Sequence, residues 1–77
     1  MRRRYRLSRG LTDEMKEEIQ GDIAGDLQEV EAQFSEDGAF LTVKTEEHRY
    51  PEVMTRILNI CCRVGNNCEL SFAGFVE

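Results

Sequence analysis

The sequence predicts an α+β fold of four strands and two helices in the order β-α-β-β-α-β. Apolar residues alternate with polar ones in four short segments, which is typical of half-buried strands. In two longer segments they recur every three or four residues, which is typical of amphipathic helices. A chain of 77 residues has room for one domain with a thin core, so we expect residues 1–77 to form a single domain.

The first strand and the first helix come from the N-terminal third of the chain. Tyr5 and Leu7 alternate with polar residues between positions 3 and 8, which predicts a strand with one buried face. Thr12 is a suitable N-cap for the helix that follows. The apolar stripe of this helix repeats every fourth residue and consists of Met15, Ile19, Ile23 and Leu27. Because Gly21 and Gly25 lie inside it, we expect the helix to fray after Gly21 or to pack closely there.

A β-hairpin is predicted in the middle of the chain. The apolar period changes to two over residues 28–34 and again over residues 39–45, which indicates two strands. The four residues between them, 35–38, form a short turn in which Gly38 supplies the positive φ that a tight hairpin requires.

The second helix and the fourth strand complete the pattern. Pro51 suits the first turn of a helix. The apolar stripe of this helix consists of Val53, Met54, Ile57, Leu58, Ile60, Cys61 and Val64. Residues 65–67, Gly-Asn-Asn, are expected to end it in a left-handed conformation. Alternation over residues 68–72 predicts the last strand, and residues 73–77 either extend that strand or fray.

This order of elements predicts a ferredoxin-like βαββαβ sandwich. Right-handed crossovers give an antiparallel four-stranded sheet in the order 4-1-3-2, with both helices on one face. The strand residues predicted to face the helices are Tyr5, Leu7, Val30, Phe34, Leu41, Val43, Leu70 and Phe72. On the open face we expect Arg4 and Arg6 to act mainly as cross-strand charge partners, with Glu69 nearby on the fourth strand.

Charge and composition limit the functions that the chain can have. The net charge is −5 although four arginines fall within the first six residues, so the rest of the chain is acidic and we expect no nucleic-acid partner. No apolar run approaches the roughly 20 residues of a membrane span, and we expect no membrane association and no secretory signal. Three cysteines make a poor disulfide framework, so we expect reduced thiols and a cytoplasmic location.

The pattern of residues resembles the heavy-metal-associated domain of copper chaperones and metal-transporting ATPases. The resemblance rests on the segments 5–7, 10–11, 30–34, 41–44 and 63–65, together with the amphipathic helix after the first strand. In that family a Cys-x-x-Cys motif at the start of the first helix binds soft metals through two thiolates. Asp13 and Lys16, or Thr12 and Met15 in the other alignment, stand at those positions here. The chain therefore resembles a degenerate member that lacks the motif.

Two functional hypotheses remain open. The first is a non-enzymatic protein-interaction or self-association module that uses the edge strand or the open sheet face. The second is a carrier or sensor of Cu or Zn in which Cys62 and Cys68 form a relocated metal site near the first loop, while Cys61 belongs to the core. We expect no enzyme, since the only histidine, His48, lies at the opposite edge from these thiols.

Overall fold

The predicted fold class is confirmed. The computed structural model describes residues 1–76, which form one open antiparallel sheet and two helices packed on the same side of it. The strands and helices are β1 (Arg2–Leu7), α1 (Asp13–Asp26), β2 (Glu31–Phe34), β3 (Phe40–Lys44), α2 (Tyr50–Val64) and β4 (Leu70–Val76). The sheet order is β2-β3-β1-β4, which is the predicted order read from the other edge. Strands β2 and β4 therefore form the two edges.

Strand β1 lies in the centre and pairs antiparallel with both β3 and β4. Tyr5 is opposite Leu41 on one side and opposite Phe72 on the other. Because directly opposed residues of a sheet share a face, all three side chains lie on the side that carries the helices. The core is formed on this side by Tyr5, Leu7, Ile19, Ile23, Leu27, Leu41, Val43, Tyr50, Val53, Met54, Ile57, Ile60, Cys61 and Cys68.

The predicted inward-facing strand residues are confirmed except at one position. Four of them are buried, and Val30, Phe34 and Leu70 are partly buried against the core. Phe72 is 55% exposed, so the prediction that it is core is wrong. It shares the face of Tyr5, but it stands on an edge strand whose outer side no helix covers.

Helix α1 begins as predicted but is more regular than expected. The hydroxyl of Thr12 accepts a hydrogen bond of 3.1 Å from the amide of Met15, which is the geometry of an N-cap. The helix then continues through Gly21 and Gly25 to Asp26. A Cβ atom added at either glycine would meet nothing within 4 Å. The expectation of fraying or of close packing is therefore wrong, since the helix neither ends nor touches a neighbour there.

The hairpin turn has the predicted form. Gly38 adopts φ +75°, and the carboxylate of Asp37 accepts hydrogen bonds from the hydroxyl of Ser35 at 2.6 Å and from the amide of Ala39 at 3.0 Å. These two hydrogen bonds hold the pKa of Asp37 below its ordinary value. Strand β2 starts later than predicted, at Glu31, because Glu29 adopts a left-handed φ of 57° that interrupts an extended chain.

The end of α2 shows a different role for its glycine from the one expected. Asn66 and Asn67 adopt the left-handed conformation, with φ of 56° and 68°, whereas Gly65 has φ −86°. Gly65 is required for packing instead. A Cβ atom there would lie 2.5 Å from the carbonyl oxygen of Cys61, 2.9 Å from the Cβ of Cys68 and 3.0 Å from the side chain of Leu11. Because Asn66 and Asn67 are not extended, β4 begins at Leu70 and not at residue 68.

Strand β4 contains a β-bulge. Tyr5 pairs with Phe72 and Arg3 pairs with Phe75, so three steps along β4 oppose two steps along β1. The extra residue falls at the Ala73–Gly74 pair, where Gly74 adopts φ +110°. A glycine is suited to this position because other residues rarely adopt such a φ. The bulge returns Phe75 to the same face as Phe72, and the strand extends to Val76 as one of the two predicted alternatives.

Alanine substitutions at two glycines should change stability in opposite directions. Gly21→Ala should stabilise the protein by about 0.5–1 kcal/mol, because it restricts the unfolded chain and meets no neighbour in the helix. Gly65→Ala should destabilise it by roughly 1–3 kcal/mol, since backbone and side-chain atoms must move away from the new methyl group. Urea denaturation of both variants measures the two effects, and changes of the same sign would contradict this account.

Truncation of the centre of α2 should cost much of the total stability. Ile57 is fully buried, so Ile57→Ala should lower the free energy of unfolding by about 2–5 kcal/mol through the cavity that it leaves. Leu58 is the next residue of the same helix and is 38% exposed, which makes Leu58→Ala the matched control with an expected loss below about 1 kcal/mol. Equal losses in guanidinium denaturation would show that the buried face of α2 is misassigned.

Candidate interaction surface

The largest exposed apolar side chains within the sheet and helices lie together at one edge of the molecule. Leu58 on α2 and Phe72 and Phe75 on β4 are 38%, 55% and 56% exposed. The ring of Phe72 meets that of Tyr5 edge-on at 5.8 Å and that of Phe75 edge-on at 5.3 Å. We call the group Leu58, Phe72 and Phe75 the aromatic edge. Clustered exposed apolar surface of this kind marks interaction sites in soluble proteins.

An open groove of about 290 Å³ separates α2 from β4 beside the aromatic edge. Its walls include Tyr5 and Leu70 from the sheet and Tyr50, Met54 and Leu58 from α2. Burial raises the pKa of Tyr5 above its ordinary value, while the guanidinium of Arg3 acts against this shift. The hydroxyl of Tyr5 is therefore neutral at physiological pH, and Arg3 is the one charged side chain that lines the groove.

Tyr50 and Arg3 form the polar end of this groove. The guanidinium of Arg3 lies 4.0 Å above the centre of the Tyr50 ring and forms an ion pair of 3.4 Å with Glu47. The hydroxyl of Tyr50 accepts a hydrogen bond from the amide of Thr45 at 3.3 Å and lies 3.2 Å from the carbonyl oxygen of Val43. These contacts fix the start of α2 against the end of β3.

Tyr50 is a core residue that is absent from the predicted apolar stripe of α2, although the spacing contains the signal. Tyr50, Val53, Met54 and Ile57 follow the i, i+3, i+4, i+7 pattern of a buried helix face, and all four are buried. The pattern starts at Tyr50, one residue before Pro51. The stripe thus extends one residue further toward the N-terminus than the position of the proline suggests.

The two edges of the sheet differ in charge. Strand β4 runs over seven residues without a charged side chain, from Leu70 to Val76, in a chain of which 32% is charged. Strand β2 has four residues and carries Glu31, which pairs with Arg2 at 3.4 Å. Charged side chains on an edge strand discourage pairing with other chains. Only β2 has this protection.

The open face of the sheet corrects one prediction. Arg4 and Arg6 do not form the expected ion pairs, and no carboxylate within residues 1–76 lies within 4.0 Å of either. Their guanidinium groups lie instead over the ring of Phe40, 4.6 Å and 5.6 Å from its centre. The reason is register: Arg6 is opposite Ser71, and Glu69 precedes the start of β4.

The three thiols occupy different environments at the end of α2. Cys61 is fully buried, as predicted, and burial together with the neighbouring Cys68 and Cys62 raises its pKa to about 12. Cys68 is also fully buried, with its sulfur 3.9 Å from the carbonyl oxygen of Arg9. Cys62 is exposed, and its thiol donates to the side-chain oxygen of Asn67 at 3.5 Å. The loop after β1 and the end of α2 are neighbours, as the topology predicted.

The relocated metal site stays a prediction. Cys62 and Cys68 both lie at the end of the sheet where it was expected, but one is exposed and the other buried. Within residues 1–76, no three or more histidine, cysteine, aspartate or glutamate side chains are placed to hold one metal ion. A site there would have to begin from the two thiols alone, and Cys68 would have to turn out of the core to join it.

Metal titration tests this site. Tetrahedral Zn(II) with Zn–S bonds of about 2.3 Å requires the two sulfurs to lie within about 4 Å of each other. We expect neither Zn(II) nor Cu(I) to bind tightly and stoichiometrically, and we expect chelators to leave the amide spectrum unchanged. Cys62→Ser removes the exposed thiol without disturbing the core and is the cleanest variant. Tight binding that disappears in Cys62→Ser and in the double variant with Cys68→Ser would establish the metal site against this expectation.

No helix within residues 1–76 has the length and apolar character needed to cross a bilayer. Comparison with known proteins adds no relative on which the site could be tested: no protein-family model matches the sequence, and no curated protein or solved structure matches the chain significantly.

Proposed function

We propose that this protein is a non-enzymatic binding module that associates with a second copy of itself through the aromatic edge. The observation that carries the proposal is the position of Phe72 and Phe75, which are more than half exposed on an uncharged edge strand. Covering two phenylalanine rings removes a large apolar area from water. The same edge can add a strand from another chain.

A second copy is the partner that the charge distribution favours. Two copies of β4 can approach each other antiparallel without placing like charges together, because Leu70–Val76 contains none. With a twofold axis near the Ala73–Gly74 pair, Phe72 of one copy lies opposite Phe75 of the other. A twofold interface of this kind repeats each contact twice. The four rings would then form one apolar cluster.

The bulge sets a limit on the strength of this association. It divides the free edge of β4 into the short segments 70–72 and 75–76, so few backbone hydrogen bonds can form across the interface. A standard interface covers about 800 Å² on each partner, which would be about a sixth of the 5009 Å² surface of this chain. Three side chains cover less than that. We therefore expect a dissociation constant on the order of 100 μM.

The positions of the exposed thiol and the histidine also favour a binding role over a catalytic one. Cys62 is the exposed thiol and therefore the candidate nucleophile, and it lies near the C-terminal end of α2. His48, the one histidine of the sequence, precedes the N-terminal end of this helix of 15 residues. A helix of that length spans about 22 Å, which is too far for a base to accept a proton from the thiol.

Sedimentation equilibrium tests the association and the residues that carry it. The apparent mass of the wild-type protein should rise toward twice the monomer value between about 10 μM and 1 mM. Phe72→Ser and Phe75→Ser should each keep the protein monomeric over this range, because each removes apolar area from the interface.

Arg56→Ser, an exposed change on α2 away from the aromatic edge, is the matched control and should associate like the wild type. Far-ultraviolet circular dichroism should confirm that every variant is folded. A wild-type protein that stays monomeric at the highest concentration would refute the proposal. Association that Phe72→Ser and Phe75→Ser leave unchanged would refute it equally.

A further inference from the structure

The open face of the sheet carries a second surface, which is cationic. Arg4, Arg6 and Phe40 surround a shallow depression of about 470 Å³, whose other walls are Ser71, Phe72 and Ala73 of β4. We call this depression with its two arginines the basic face. It lies on the side of the sheet opposite the helices, whereas the aromatic edge lies on the helix side. The inference drawn from it is independent of the proposed self-association.

Like Arg9, Arg49 and Arg56, the two arginines of the basic face form no ion pair within residues 1–76; unlike those three, they stand two residues apart on one face of a strand. Arg2, Arg3 and Arg63 each form an ion pair, at 3.4, 3.4 and 2.9 Å. Arg4 and Arg6 form none within residues 1–76, although the chain contains 15 aspartate and glutamate residues. Two unpaired guanidinium groups beside one ring leave a concentrated positive charge on this face.

The guanidinium groups are also held in place. They lie 4.6 Å and 5.6 Å from the centre of the Phe40 ring, and Arg4 donates a hydrogen bond of 3.4 Å to the carbonyl oxygen of Ala73. Both side chains arise from β1, an interior strand that pairs on both sides. Stacking on a ring orients a guanidinium but uses none of its N–H groups in its own plane. Most of the donors are therefore free for a ligand.

From this geometry we propose that the basic face binds an extended acidic segment of another protein. Arg4 and Arg6 are two residues apart on one strand, which places their Cα atoms about 6.6–6.8 Å apart. Side chains two residues apart in an extended peptide have the same repeat and the same direction. An acidic residue at every second position thus presents carboxylates to both arginines, and each can accept two parallel N–H···O bonds.

A protein segment fits this surface better than a nucleic acid does. Single-stranded nucleic acids are bound through aromatic rings on which successive bases stack. Phe40 is the one aromatic side chain of the basic depression that belongs to the open face, and two guanidinium groups already cover it. The net charge of −5 also repels a long polyanion, whereas a short peptide meets only the local positive charge.

Peptide titration followed by amide chemical shifts tests the proposal on the whole chain. The probe is a synthetic ten-residue peptide of alternating glutamate and threonine, and its control has glutamine in place of glutamate. The acidic peptide should shift the amides of Arg4, Arg6, Phe40 and Ser71 and bind with a dissociation constant of roughly 10–500 μM that rises with salt. The glutamine peptide should cause no saturable shift.

Two double variants of equal charge separate this site from general electrostatic attraction. Arg4→Gln with Arg6→Gln should weaken binding at least about tenfold, since it removes the charge-assisted hydrogen bonds. Arg56→Gln with Arg63→Gln makes the same change of charge on α2 and should alter the affinity by less than about twofold. Thermal unfolding of both variants checks that the fold is intact.

Three results would overturn the proposal. The first is equal weakening in the two double variants, which would indicate nonspecific attraction. The second is the absence of saturable shifts at the basic face with the acidic peptide. The third is tighter binding of a single-stranded oligothymidine at the same amides, which would assign this face to nucleic acid.

Discussion

The structure depends on how the central strand accommodates its arginines. Four of the six residues of β1 are arginine, yet this strand pairs on both sides and carries Tyr5 and Leu7 into the core. The half-buried side chain of Arg3 requires a partner that limits the cost of removing it from water, and the ring of Tyr50 and the carboxylate of Glu47 supply it. Arg4 and Arg6 stay exposed on the open face, where they lie over Phe40.

Arg3 connects the start of α2 with the aromatic edge. Arg3 is on the helix side of the sheet, between the ring of Tyr50 at 4.0 Å and that of Phe75 at 5.9 Å. The two phenylalanines of β4 lie outside the core because no helix covers the outer side of this edge strand. The charge on β1 and the apolar surface of β4 therefore lie next to each other on the helix side of the sheet.

Many of the local elements could be predicted because their signals are short-range. The N-cap at Thr12, the turn at Gly38 and the buried stripe of α2 each depend on residues within one or two helical turns. The expectation for Gly21 was wrong because it concerned contacts with other segments of the chain. The low helix propensity of glycine can be read from the sequence. Only the tertiary structure shows that nothing packs against Gly21 and that the helix continues through it.

The sequence by itself determined the class of fold, the order of its elements and most of the core, because periodicity reports which face of an element is buried. The aromatic edge and the basic face depend on the tertiary structure. The pairing of β1 with β4 places Ser71, not Glu69, opposite Arg6, and the bulge at Gly74 shifts the pairing of Arg2 and Arg3. Whether Phe72 is covered depends on where α2 lies above an edge strand. The register of β4 and the coverage of Phe72 both depend on how segments far apart in the chain are placed against each other. Alternation within one strand does not encode that placement.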